Sequence, residues 1–100
     1  MAETNKQMDW EDKPMDLKEA LVDQFTDECE GVVDYLKLSE LAKEKYPNCP
    51  YAQILKDIAK EERVHRNHIK AILKDLNVTF TDEMNKMDAE SEEAFDKSFL

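Results

Sequence analysis

Three residues able to hold a metal stand where apolar side chains are expected. Between Tyr51 and Leu76, an advance of about 100° per residue collects Tyr51, Ile54, Leu55, Ile58, Ile69, Ile72, Leu73 and Leu76 on one helical face. Glu62 and His65 fall inside that arc, with Ile58 a turn before and Ile69 a turn after. Lys60, Arg63, Arg66 and Asn67 are expected to point away from it, as a solvated face. The preceding segment behaves alike: Leu17, Leu21, Phe25, Val32, Tyr35 and Leu36 form the stripe and Glu28 sits near its centre. Asp23, Asp27, Glu30 and Asp34 lie mostly off it.

An ionised carboxylate facing a core is costly unless it is paired or coordinated. Glu-x-x-His on one helix aims an oxygen and a nitrogen at one point, which is how helical bundles hold iron or manganese. A two-fold dimer would bring four carboxylates and two imidazoles together, and two divalent cations would balance their four negative charges. The competing reading is a buried Glu–His or Glu–Arg network that fixes the register of the helices. Glu61 and His68 lie at the edge of the arc, either as ligands, as partners of ligands, or exposed. Tyr35, two turns after Glu28, could donate its hydroxyl to a ligating carboxylate or simply pack. Gly31 weakens a helix interior by about 1 kcal/mol relative to Ala, so a close helix approach beside Glu28 is one reason for it. Cys29 borders the stripe as a small core residue, and Trp10 carries no signal beyond packing.

Helices of known ends must position these groups. Asp16 followed by Glu19 has capping-box chemistry, and the helical pattern runs from there to about Lys45. Tyr46-Pro47-Asn48-Cys49-Pro50 forces a turn, and a second helix runs from about Tyr51 to Leu76 with Asn77 as its cap. Thr81 can cap a weaker third helix to about Lys97, with Met84, Met87, Ala94 and Phe95 as a thin apolar side. The reading is all-α: an antiparallel two-helix hairpin roughly 40 Å long, at 1.5 Å per residue, plus a short carboxy-terminal helix. Two helices cannot cover each other's stripes, so a second copy completing a four-helix bundle is expected.

Composition narrows the function. The chain has 100 residues, a net charge of −10 and a single glycine. One glycine cannot build a phosphate-cradling loop, and the negative excess argues against a nucleic-acid partner. No apolar run approaches a membrane span and no signal-peptide core is visible, so a cytoplasmic protein is expected. Two cysteines, Cys29 and Cys49, are too few for a disulfide framework. Residues 1–16 carry a balance of −3 and residues 82–100 one of −5, against −2 for the long middle, so both ends read as solvated or weakly ordered extensions of a folded middle. The expected organisation is a flexible acidic segment over 1–15, a helical hairpin over 16–77, and a short third helix with an acidic tail over 78–100.

Glu28 with Tyr35 seven residues on, then Glu62-Arg63-Val64-His65, resembles the ferritin-like superfamily in its rubrerythrin-like branch, over roughly residues 17–76. Ile54-Leu55 followed by Glu61-Glu62-Arg63-Val64-His65, and Glu28-Cys29-Glu30-Gly31-Val32, are similar to the encapsulated ferritins, half-ferritins that build their four-helix site between two chains. The resemblance implies Glu28, Glu62 and His65 as iron ligands, two Fe per dimer with Mn a further option, and Glu30 on a metal entry path. It implies a ferroxidase, and a homodimer or higher homo-oligomer. It also raises an encapsulin-type shell, reached through the apolar end Phe95…Ser98-Phe99-Leu100, which would place the protein inside a compartment. The rubredoxin-type cysteines of full rubrerythrins are missing, so a built-in electron-transfer domain is not implied. The alternative is a non-catalytic ferritin-like assembly or adaptor protein with a structural or vestigial metal site.

Overall fold

A computed structural model describes residues 16–99; the expected acidic segment 1–15, with Trp10, and Leu100 lie outside the described residues. Three helices follow one another: α1 (Leu17–Lys45), α2 (Tyr51–Asp75) and α3 (Asp82–Ser98), with no strand among the described residues. Each end has a local cause. Asp16 accepts from the Lys18 N–H at the start of α1, and Thr81 accepts from Met84 N–H at the start of α3. Asn77 takes a left-handed φ of 60° just beyond α2, where its N–H donates to the Lys74 carbonyl and that of Val78 to the Leu73 carbonyl. Ser39 is buried and donates to the Ala52 carbonyl at 2.8 Å, tying α1 to α2 near their turn.

The core forms two apolar clusters. One joins Phe25, Cys29, Leu73 and Met84, with Phe80 edge-on to Phe25. The other joins Val32, Leu36 and Ala59, with Tyr35, Ala94, Phe95 and Phe99 against it. Both clusters draw on α3, which is therefore part of the folded unit and not the solvated extension its charge suggested.

The acids of α3 explain that correction. Arg66, expected on a solvated face, is 3% exposed. Its guanidinium donates to Ser91 Oγ at 2.7 Å and to Glu92 Oε1 at 2.6 Å, and lies 3.4 Å from Asp88 Oδ1. Arg63 makes a two-pronged pair with Glu92, and Lys70 pairs with Asp88. Arg63 also stacks over Phe95, and Lys56 and Lys60 over Phe99. Basic residues of α2 and acidic residues of α3 thus neutralise one another across a helix contact. Glu92 is held at about 2, well below the usual carboxylate range, by its bonds to Arg63, with burial opposing and Arg66 adding to the effect.

The apolar stripe of α2 is correspondingly turned. Its buried residues are Ala59, Arg66 and Leu73, a seven-residue repeat facing α1 and α3. Tyr51, Ile54 and Ile72, read on the apolar face that two helices cannot cover, are about half exposed. Tyr51, Ile58, His65 and Ile72 share one heptad row, and Leu17, Gln24, Gly31 and Leu38 share another on α1. Leu17 is 60% exposed and Leu38 45%. The molecule is a slab of 49 × 37 × 18 Å that leaves these apolar side chains uncovered. No helix among the described residues is long and apolar enough to cross a membrane.

Candidate metal centre

Glu28 reaches the centre from the middle of α1, and Glu62 and His65 reach it from the middle of α2, one turn apart. One ligand atom from each lies within 4.8 Å of the others. His65 Nδ1 is 3.6 Å from Glu28 Oε1 and 3.6 Å from Glu62 Oε1, closer than charges at large but beyond a direct hydrogen bond. Burial grades across the site: Glu28 is buried, Glu62 half-buried, and the His65 side chain 56% exposed. The opening therefore faces the uncovered apolar rows.

Two features show the donor set to be short of positive charge. Glu28 Oε1 is buried without a hydrogen-bond partner, a state that is costly unless something electropositive meets it. Glu62 is pushed up to about 7, first by the Glu28 carboxyl close beside it, then through burial, with His65 pulling the other way. Two hard oxygens and an imidazole nitrogen suit a divalent iron or manganese ion, and the orphaned oxygen is the one nearest His65. The residues present fit such an ion.

Gly31 also acquires a reason. A Cβ at this position would lie 3.3 Å from Glu62 Cδ and 3.4 Å from its Cγ. The missing side chain is the space in which Glu62 lies, which is the close approach expected beside Glu28.

The other candidates are placed elsewhere. Tyr35 packs against the Val32–Leu36–Ala59 cluster. Glu61 and His68 are exposed and outside the three-residue group. Glu30 is exposed on a groove between α1 and α3, shared with Cys29, Val33, Asp34, Met87 and Glu90. Cys29 is free and buried, and burial pushes its thiol up, with Ser91 opposing. The residue that sequence reasoning passed over is Gln24, whose amide donates to Glu28 Oε2 at 2.7 Å. Its signal was available: it precedes Glu28 by four residues, the spacing at which helical side chains meet.

Comparison with known proteins adds one finding. The family model described as Rubrerythrin matches residues 19–100, from the first turn of α1 through α2 and α3. No curated protein and no solved structure matches the chain.

Proposed function

The chain belongs to the rubrerythrin family, in the ferritin-like superfamily whose rubrerythrin members typically bind iron, and on that premise we propose a di-iron ferroxidase assembled from two copies. Glu28, Glu62 and His65 of each copy would form the centre, with two ferrous ions as substrate. The observation that carries the reading is Glu28 Oε1, buried and unpartnered beside Glu62 and His65 in the middle of an uncovered apolar face.

Each ferrous ion gives up one electron to oxygen or peroxide as it becomes ferric. The residues set the conditions for that. Glu28 and Glu62 supply negative charge and hard oxygens, and a pair of chains supplies four carboxylates to balance two divalent cations. Glu62 gives its proton to solvent on loading, through the side of the site where His65 is exposed. His65 offers an imidazole nitrogen, with Nδ1 as the atom turned toward both carboxylates. A second copy laid over Leu17, Leu38, Ile54 and Ile72 would exclude water from the centre and bury the apolar rows that the slab leaves bare.

The test is an anaerobic ferrous titration followed by addition of oxygen, with solution mass measured in parallel. Wild type should bind one iron per chain and develop ferric absorbance, and the Glu62→Ala, His65→Ala double variant should do neither. Equal behaviour of the two proteins would sink the proposal.

A further inference from the structure

We infer that Gln24 is a positioning residue for the metal centre, holding Glu28 so that one chosen carboxylate oxygen is offered to the ion. The inference rests on the metal-binding reading above and adds to it a residue outside the three ligands.

The geometry divides the Glu28 carboxylate in two. Oε2 accepts the Gln24 amide at 2.7 Å, and Oε1 is buried, free of any hydrogen bond, and 3.6 Å from His65 Nδ1. A carboxylate only accepts, so the nitrogen end of the Gln24 amide must be the one facing it. A free carboxylate at this position could rotate and present either oxygen or both. With Oε2 engaged, rotation about the last torsion of Glu28 would break the hydrogen bond from the Gln24 amide, so Oε1 stays aimed at His65 and Glu62.

The location of Gln24 supports a role at the site over one in the core. Its side chain is exposed, on the same heptad row as Leu17, Gly31 and Leu38, and it joins neither apolar cluster. An exposed glutamine four residues from a glutamate adds little to helix stability. Hydrogen-bond partners of metal ligands matter far more to the ion than to the fold, and their loss typically lowers affinity 10–100-fold.

The experiment compares wild type with Gln24→Met, which keeps length and helix propensity and removes the donor. Cobalt(II) serves as probe, read by titration and by its visible absorption, with melting temperature and solution mass as controls. The expected result is an affinity lower by about 10-fold or more and a changed cobalt spectrum. The metal-free melting temperature should move by no more than about 4 °C and the mass should not change. A role in folding alone would shift the melting temperature and leave the spectrum as it was, which overturns the inference. Wild-type affinity and an unaltered spectrum in Gln24→Met overturn it equally, while wild-type uptake keeps the metal reading intact. Failure of wild type itself to take up cobalt would remove the metal reading, and the role of Gln24 with it.

Discussion

Replacing Gly31 by alanine should separate fold stability from metal affinity and move them in opposite directions. Gly31 lies in the interior of α1, where alanine is favoured over glycine by about 1 kcal/mol. Against that gain stands the new Cβ, 3.3 Å from Glu62 Cδ, 3.4 Å from Cγ and 3.5 Å from Oε1. Carbon atoms rest comfortably at roughly 3.5–4.0 Å, so Glu62 must retreat by a few tenths of an ångström. It is the end of a flexible side chain, 24% exposed, and without metal it can swing outward at little cost. The metal-free variant should therefore keep about 0.5–1 kcal/mol of the helix gain and melt about 2–6 °C higher. Metal binding requires Glu62 to return to Glu28 and His65, and the crowding returns with it. A loss of about 10-fold in affinity, or about 1.4 kcal/mol, is expected. Thermal denaturation of the metal-free protein and calorimetric titration with manganese(II) read the two quantities separately. A variant that melts below wild type, or that binds manganese as tightly, refutes the reasoning.

Other outcomes follow from the same contacts. Arg66→Ala removes a buried donor from Ser91, Asp88 and Glu92, while Lys70 and Arg63 still neutralise the two acids, and should cost about 2 kcal/mol in urea denaturation. In the metal-free protein Glu62 holds its proton more tightly than its ordinary value of 4.5, up to about 7. The folded state then binds more protons than the unfolded state over that interval, so this contribution is present below pH 4.5 and is lost as pH rises through about 7. Melting temperatures measured across the interval should fall less steeply in Glu62→Gln. The proposed pairing predicts that Ile72→Lys, on the row that carries His65, leaves single chains in sedimentation while the helical circular dichroism is retained.

That Glu28, Glu62 and His65 come together was legible because it depends on helical periodicity and one turn. Glu28, Glu62 and His65 violate the apolar pattern at mid-helix, and the Tyr46–Pro50 turn makes the two helices antiparallel, so their midpoints meet. Helix ends were legible for the same local reason: Asp16 and Thr81 cap, and Asn77 takes the left-handed turn. Periodicity states which residues share a face but not what covers that face. The reading of Arg63 and Arg66 as solvated therefore gave way to acids contributed by α3, 22 to 29 residues further on. Tyr51, Ile54 and Ile72 were placed together on one apolar face, but spacing does not state what covers that face, and in this chain they are about half exposed. Gln24 went unread because a single exposed glutamine gains meaning only when one oxygen of Glu28 is seen bonded and the other bare. Local propensity and spacing determined the helices and the donor set. Docking of α3, and with it the division into a closed side and an open side, was decided by long-range ion pairs and packing that no local pattern encodes.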